Sequence, residues 1–308
     1  MKPADFDYHA PRTVPGALAL LARYGRAAKV LAGGQSLVQL MNMRSSQPAH
    51  VIDVNGLNEL TTIDKNNGEL NLGSLVRQTT LECSPLVAES CPLLAEAVSY
   101  IGSPQVRNRG TVGGSLAYAS PNAEIPTAAI ALDAEIVLSS QRGHRTIAAA
   151  DFFIGPFTTV IEPDELLTEV HIPLPNEMIG WSFREVSRRV NDLPIVAAAA
   201  VLRLSYDSTI GSLRLALAGV GSRPLRCVQA ERDLVGAAIP DDGFAVAAKR
   251  AVVDLDPPSD MHAPGEYRKA LAEVLAARAL REATEHARGH GESADGSARA
   301  DDGANTNR

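Results

Sequence analysis

The sequence predicts an α+β fold made of more than one domain. Strands and helices occur in runs, without the steady strand–helix alternation that a doubly wound parallel sheet requires. The dinucleotide fingerprint G-x-G-x-x-G with its downstream acid is absent, as is a phosphate loop ending in Gly-Lys-Ser or Gly-Lys-Thr. Because 308 residues exceed what one compact core usually holds, two or three domains are expected.

The first expected unit is a small α/β layer at the N-terminus. Pro15 suits the first turn of a helix. Leu18, Leu21 and Ala22 then recur at the spacing of one apolar helix face. The expected elements are a helix over residues 14–24, a strand over 29–32, a short helix over 37–43 and a strand over 51–54.

The second expected unit begins with a β-hairpin. Asn66-Asn67-Gly68 separates two strand-like runs and is strong hairpin chemistry. Pro173-Leu174-Pro175 then marks the end of the unit, since proline stops strand pairing. The expected elements are strands over residues 60–63 and 70–72, helices over 92–98 and 125–132, and strands over 135–138 and 166–172.

The third expected unit is a three-stranded antiparallel sheet covered by helices. In the last helix Tyr267, Leu271, Val274 and Leu275 form an apolar stripe that is expected to pack against the sheet. The expected elements are strands over residues 182–186, 196–204 and 213–220, a turn over 206–211, and helices over 229–235, 244–253 and 267–285.

These units divide the chain into four segments. The last segment contains almost no large apolar side chain, so burial cannot offset its ordering entropy and a disordered tail is expected. The segments are residues 1–58, 59–176, 177–287 and the tail 288–308.

Two glycine-bearing turns give the clearest functional signal. The first glycine corner is Ala32-Gly33-Gly34-Gln35-Ser36, and the second is Thr111-Val112-Gly113-Gly114-Ser115, which follows the basic stretch Arg107-Asn108-Arg109. Glycine pairs allow main-chain N–H groups to approach a ligand without an intervening Cβ, and successive N–H groups form a nest for anionic oxygen. Either corner alone is typical of an ordinary turn. Together, beside cations, they predict a site for the diphosphate of an extended dinucleotide.

The chain resembles the FAD-binding medium subunit of molybdenum hydroxylases, the group that includes carbon monoxide dehydrogenase and the flavin segment of xanthine dehydrogenase. The resemblance covers most of the chain. It rests on four blocks in order: AGGQSLVQLMNMR from Ala32, IGSPQVRNRGTVGGSLAYASPNAEIP from Ile101, FREVSRRVNDLPIVAAA from Phe183 and EYRKALAEVLAARAL from Glu266.

The resemblance implies a two-subdomain FAD-binding fold of the vanillyl-alcohol-oxidase (PCMH) type, followed by a C-terminal domain with a three-stranded antiparallel sheet and helices. It implies that both corners hold the FAD phosphates and ribityl chain. It also implies that Glu124 contacts ribityl or ribose hydroxyls and that Leu167 is a backbone or packing contact near the flavin. Some relatives have Asn at Ser115 and Asp at Glu124, and both changes keep a hydrogen-bonding group. Where some members carry an aromatic shield, near Leu193, this chain has none.

The chain itself supplies no expected catalytic or metal-binding residue. A [2Fe–2S] cluster needs four thiolates, whereas Cys83, Cys91 and Cys227 are the three cysteines. The seven histidines are dispersed. The resemblance therefore implies a large molybdenum-cofactor subunit and a small [2Fe–2S] subunit as partners, in a dimer of heterotrimers.

The composition also bears on nucleic-acid binding, on membrane spans and on cellular location. A net charge of −7 and 4% aromatic residues disfavour nucleic acid. No apolar run is long enough for a transmembrane helix, and the first seven residues lack the apolar core of a secretion signal, so a cytoplasmic protein is expected.

Three functions remain open from the sequence. The first is an electron-transfer flavoprotein subunit, in which FAD brings the redox chemistry. The second is a stand-alone flavin-dependent oxidase or reductase, and the third is a non-enzymatic ligand-binding or assembly protein. A serine hydrolase is disfavoured, because Gly34-Gln35-Ser36 is followed by Val38 where a nucleophile elbow needs glycine.

Overall fold

A computed structural model describes residues 2–175 and 179–300. The expected boundary between residues 176 and 177 lies outside the described residues. The first unit is a parallel three-stranded sheet in the order β1-β3-β2. Its elements are β1 (Asp7–His9), α1 (Val14–Tyr24), β2 (Ala28–Leu31), α2 (Leu37–Asn42) and β3 (His50–Asp53).

Helix α1 begins as the sequence predicts. The Thr13 hydroxyl accepts a hydrogen bond from the Gly16 N–H at 3.2 Å, and Pro15 lies in the first turn. The face buried in the core is Ala17, Leu18 and Leu21, whereas Ala22 is exposed. The prediction that Ala22 belongs to the buried face was therefore wrong, and Ala17 lies there instead. Alanine is compatible with either environment, so its position does not identify the face.

The second unit is a five-stranded antiparallel sheet in the order β4-β5-β10-β6-β7, with helices packed on one face. The expected hairpin forms, with Asn67 and Gly68 both at positive φ as in a type I′ turn. Its first strand spans Ile63–Asn66, so the expected strand over residues 60–63 was misplaced by three residues. The elements are β4 (Ile63–Asn66), β5 (Glu69–Gly73), α3 (Gln78–Cys83), α4 (Pro85–Ser90), α5 (Pro92–Tyr100), α6 (Pro104–Arg107), α7 (Val112–Tyr118), α8 (Glu124–Ala131), β6 (Glu135–Ser140), β7 (Gly143–Ala148), α9 (Ala149–Phe152), β8 (Phe153–Gly155), β9 (Thr158–Thr159) and β10 (Leu166–Pro173).

The third unit is an antiparallel sheet in the order β11-β12-β13-β14. It has one strand more than expected, because the fourth strand is two residues long and too short to show strand periodicity. The elements are β11 (Gly180–Val186), β12 (Val196–Leu204), β13 (Ile210–Ala218), β14 (Leu225–Arg226), α10 (Val228–Leu234), α11 (Ala245–Val252) and α12 (Gly265–Ala300).

Helix α12 packs against this sheet through alanine and leucine. A Cβ on Gly180 would lie 1.7 Å from the Ala283 carbonyl oxygen, so helix and strand backbones are in close contact. Of the expected stripe, Tyr267 and Val274 are exposed. The residues buried on α12 include Ala272, Leu275, Ala276, Ala279, Leu280 and Ala283.

The chain end differs from the expected division. Residue 288, where a disordered tail was expected to begin, lies inside α12, while residues 301–308 lie outside the described residues. The character of the tail stays a prediction. Within the described ranges, none of the helices is both long and apolar enough to cross a bilayer.

Candidate functional site

The two glycine corners lie side by side in the structure. A Cβ on Gly33 would be 2.3 Å from the Arg109 carbonyl oxygen and 3.0 Å from the Gly110 Cα. A Cβ on Gly114 would be 4.0 Å from the Ala32 Cβ. Only a residue without a side chain fits at Gly33, so the close approach of the corners explains this glycine. The two segments, which are far apart in the sequence, therefore lie next to each other.

The first corner presents main-chain donors that the protein does not use. In residues 2–175 and 179–300, the N–H groups of Gly33, Gly34, Gln35 and Ser36 have no hydrogen-bond acceptor. Gly34 has φ +76°, a conformation that side chains disfavour. Gly33 is buried, whereas Gly34, Gln35 and Ser36 are partly exposed. This donor set fits an anion such as a diphosphate.

The second corner has a different structure from the open turn that we expected. Thr111 is the N-cap of α7, and its glycines belong to the first helical turn. Its N–H groups are bonded within the chain: Val112 to the Val76 carbonyl (3.1 Å), Gly113 to the Ser74 carbonyl (2.8 Å), Gly114 to the Thr111 hydroxyl (3.0 Å) and Ser115 to the Thr111 carbonyl (3.1 Å).

The second corner therefore does not form a nest of unbonded N–H groups. Thr111, Val112 and Gly113 are buried, whereas Gly114 and Ser115 are partly exposed. A Cβ on Gly113 would be 2.6 Å from the Ser74 Cβ, so this glycine serves packing. The Ser115 hydroxyl is the polar side chain that this corner can offer to a ligand.

The basic stretch also has a structural role that the sequence did not indicate. Arg107 is buried, and its guanidinium donates to Glu82 at 2.7 Å and to the Ile101 and Gly102 carbonyls at 2.8 Å each. Its charge is thus neutralised within the fold. Arg109 contributes its carbonyl group to the contact with Gly33.

Glu124 lies where the second unit meets the third. It begins α8, is 4% exposed, and burial raises its pKa to about 7. Burial and then the charge of Glu124 raise the pKa of Glu185, on β11, to about 8. One carboxyl oxygen of Glu185 is buried without a hydrogen-bond partner among the described residues. Glu124 is buried and Glu185 is partly buried, and both carboxyl groups therefore favour the protonated form.

The loop before Glu124 is tied to the third unit. The Asn122 amide donates to the Pro194 carbonyl at 2.6 Å, and the Gly219 N–H donates to the Pro121 carbonyl at 3.1 Å. The second corner begins α7, whose seven residues span about 10 Å, and Glu124 follows that helix along the chain at the start of α8.

Leu167 lies in β10, and at 4% exposure its side chain is part of the core. The neighbouring Thr168 carbonyl accepts from the Ser74 N–H at 2.9 Å, and the Ser74 carbonyl accepts from Gly113. These bonds link β10 at Thr168, the residue after Leu167, to the second corner through Ser74. Leu193, in the loop between β11 and β12, is 65% exposed.

Two further residues form a hydrogen-bonded link between the corners, and sequence reasoning missed them: Asn55 bonds the Ala32 carbonyl, and Arg77 bonds Asn55 and the Arg109 carbonyl. Asn55 lies in the loop after β3, and Arg77 is the N-cap of α3. The sequence Asn55-Gly56 is turn chemistry, but it does not show which carbonyl the Asn55 side chain reaches. Glu185 was also missed, because its place in an alternating strand is typical of a solvated residue.

Comparison with known proteins identifies the family. The model for the FAD binding domain in molybdopterin dehydrogenase matches residues 4–175, and that for the CO dehydrogenase flavoprotein C-terminal domain matches residues 181–283. The chain is 38% identical to the 6-hydroxypseudooxynicotine dehydrogenase complex subunit alpha of Paenarthrobacter nicotinovorans, over 96% of this chain and 100% of that subunit. It is 37% identical to the carbon monoxide dehydrogenase medium chain of Hydrogenophaga pseudoflava, over 91% of this chain and 97% of that one.

A solved structure gives the same result. A chain of Hydrogenophaga pseudoflava carbon monoxide dehydrogenase, in a form that lacks the Mo-pyranopterin moiety of the molybdenum cofactor, superposes with a TM-score of 0.90 at 37% identity. The match covers 93% of this chain and 99% of that chain. The resemblance and the fold class expected from the sequence are both confirmed. The chain therefore belongs to the FAD-binding flavoprotein subunits of the molybdopterin dehydrogenase family.

Proposed function

We propose that the chain is the electron-transfer flavoprotein subunit of a molybdenum-containing hydroxylase or dehydrogenase, holding one FAD across the two glycine corners. Electrons would arrive from a [2Fe–2S] subunit and leave to an external acceptor. The observation that carries the proposal is the set of unbonded N–H groups at Gly33, Gly34, Gln35 and Ser36, beside a second corner. When bound, FAD supplies a ring that exchanges one or two electrons.

The corners would divide the binding of FAD between them. The first corner donates its main-chain N–H groups and the Ser36 hydroxyl to the diphosphate, which needs many donors. The second corner supplies the partly exposed Gly114 and Ser115, while Thr111, Val112 and Gly113 form the wall behind them. Ala32 completes the first corner at the contact with Gly114.

Glu124 and Leu167 would contact the flavin half of the cofactor. Glu124 can donate or accept a hydrogen bond near neutral pH, because burial raises its pKa to about 7. That property suits ribityl or ribose hydroxyls, which both donate and accept. Leu167 would contribute its backbone or an apolar wall beside the flavin.

Partner subunits would carry the other redox centres. Cys91 and Cys227 are buried, with pKa values raised to about 12 by burial, and Cys83 is exposed. Three separate thiols do not supply the four ligands of a [2Fe–2S] cluster. The names of the relatives describe one chain among several of a dehydrogenase. We propose a large molybdenum-cofactor subunit and a small [2Fe–2S] subunit, assembled as a dimer of heterotrimers in the cytoplasm.

The test is to express the full chain alone and together with the polypeptides that copurify with it. A flavin absorption spectrum and about one FAD released per chain are expected, with molybdenum and iron only in the complex. A folded chain that carries no flavin in either preparation contradicts the proposal. Substrate oxidation by the isolated flavin-loaded chain supports instead the stand-alone oxidase or reductase, and flavin binding without turnover in any complex supports a binding protein.

A further inference from the structure

Asn55 fixes the orientation of one peptide unit in the first corner. Its side-chain amide donates to the Ala32 carbonyl oxygen at 2.8 Å. That carbonyl and the Gly33 N–H belong to the same planar trans peptide, in which C=O and N–H point in opposite directions. Holding the carbonyl toward Asn55 therefore turns the Gly33 N–H away from it. The hydrogen bond decides which side of the corner presents a donor.

The Asn55 side chain is itself held in place. The Asp53 carboxylate accepts from the Asn55 main-chain N–H at 2.9 Å and from its side-chain amide at 2.6 Å. Burial opposes the charge of Asp53, but hydrogen bonds from Tyr8 and Asn55 outweigh it, and the pKa of Asp53 lies below its usual value. Asp53 thus stays ionised and remains an acceptor over the ordinary pH range.

Arg77 links Asn55 to the stretch that precedes the second corner. Its guanidinium donates to the Asn55 side-chain oxygen at 2.7 Å and, through its other terminal nitrogen, to the Arg109 carbonyl. The Arg109 carbonyl is the group that Gly33 approaches most closely. Arg77 also forms a β-bridge with Thr111, the N-cap of α7. The Arg77 side chain therefore bonds Asn55, which holds the Ala32 carbonyl, and the carbonyl of Arg109, two residues before the second corner.

We propose that Asn55 and Arg77 are positioning residues that set the direction of the Gly33 N–H and the spacing between the two glycine corners for the diphosphate of FAD. The inference rests on the proposed FAD site. Neither residue has to touch the cofactor: Asn55 acts through the Ala32–Gly33 peptide, and Arg77 acts through Asn55 and the Arg109 carbonyl. Loss of either hydrogen-bonding group would allow the peptide to rotate and its donor to leave the site.

The test measures FAD affinity in two variants of the full chain, prepared in the complex that copurifies with it. Asn55→Leu keeps the side-chain size, and Arg77→Met keeps the aliphatic stem. Each is expected to weaken FAD binding about tenfold, the value of one well-placed hydrogen bond. The visible circular dichroism of the bound flavin is expected to change as well. The unfolding midpoint of the FAD-free protein is expected to stay within a few degrees of wild type.

Arg142→Met is the matched control. Arg142, in the turn between β6 and β7, is exposed and pairs with Glu162 and Asp164, so the substitution removes the same charge without breaking a bond to Asn55 or to either corner. The double variant N55L/R77M is expected to lose less affinity than the two single losses combined, because the two side chains hydrogen-bond each other. If either variant fails to fold, Asn55→Ser and Arg77→Lys replace it, each with an expected loss of at least about threefold.

The possible outcomes separate the inference from the proposed function. Wild-type affinity and flavin dichroism in both variants, with FAD bound by the unmodified chain, overturn the inference and leave the function standing. An equal loss in R142M overturns it as well, since a general charge effect would then explain the result. A folded wild-type chain without FAD overturns both.

Discussion

The two glycine corners have similar sequences but use their main chains in opposite ways. In the first, four consecutive N–H groups have no acceptor among the described residues, whereas in the second each N–H from Val112 to Ser115 is bonded within the chain. The difference arises from Ser74 and Val76, which accept from Gly113 and Val112, and from Thr111, which accepts from Gly114 and Ser115. A glycine pair next to a hydroxyl residue therefore does not reveal whether its donors are available. The acceptors of neighbouring segments decide that.

The glycines also serve different physical needs. Gly34 is required for its backbone conformation, with φ +76°, and Gly33 for its approach to another segment. Gly113 has no positive φ and instead packs against Ser74. The first corner is built for donors and the second for close packing, and substitutions can test this distinction.

The largest effect is expected for Gly33→Ala. The new Cβ would lie 2.3 Å from the Arg109 carbonyl oxygen, so the two corners must separate. We expect FAD affinity to fall by more than about a hundredfold, because separation of the corners would remove at least two hydrogen bonds to the diphosphate, each worth about tenfold. A fluorescence titration with FAD measures it. Gly155→Ala is the control, because nothing lies within 4 Å of its added Cβ. Unchanged FAD affinity in Gly33→Ala would show that the close approach of the two corners is not needed for binding.

The next largest effects are expected for Gly34→Ala and Gly113→Ala, the first on FAD affinity and the second on stability. At Gly34 a side chain costs about 1–2 kcal/mol through its positive φ, and we expect FAD affinity to fall about tenfold. At Gly113 the new Cβ overlaps Ser74, and overpacking is expected to lower the free energy of unfolding of the FAD-free protein by about 1–3 kcal/mol. FAD titration and urea unfolding of both variants provide the measurement. The same pattern in both would show that the corners do not differ.

A smaller effect is expected from the hydroxyl residues. Thr111→Val removes the acceptor for the Gly114 N–H and should lower the free energy of unfolding by about 1 kcal/mol. Ser36 makes no capping hydrogen bond, so Ser36→Ala should leave unfolding unchanged and weaken FAD binding severalfold. Urea unfolding and FAD titration check the pair. A stability loss in Ser36→Ala equal to that of Thr111→Val would contradict the assignment.

The smallest effect on FAD affinity is expected for Glu185→Gln, since Glu185 lies outside both corners. The substitution is expected mainly to change how the free energy of unfolding depends on pH. The folded pKa values of Glu124 and Glu185, about 7 and about 8, lie above the ordinary value of 4.5. The folded state therefore binds more protons between about pH 4.5 and 8, and stability decreases as pH rises through that range. Urea unfolding from pH 5 to 9 should show a shallower decrease in Glu185→Gln. If the pH dependence of the free energy of unfolding is the same in Glu185→Gln as in wild type, the raised pKa of Glu185 is contradicted.

Much of the fold was predictable from local sequence. Pro15 and the apolar spacing after it predicted α1, and Asn67-Gly68 predicted the hairpin, because these residues act through their own backbone conformations. Some short helices were not predicted, although α2 was expected over residues 37–43. Helix α7 has seven residues, with two glycines in its first turn, and gives no periodic signal. The stripe on α12 was misassigned because alanines form much of its buried face.

The sequence alone determined the α+β class, the two glycine corners and the family, because each depends on residue order along the chain. Only the tertiary structure decided that the first corner keeps its donors and the second does not, that Arg107 is neutralised by Glu82, and that Asn55 and Arg77 hold the corners together. A hydrogen bond depends on which acceptor lies within about 3 Å, and between distant segments that distance is set by packing and not by spacing in the chain.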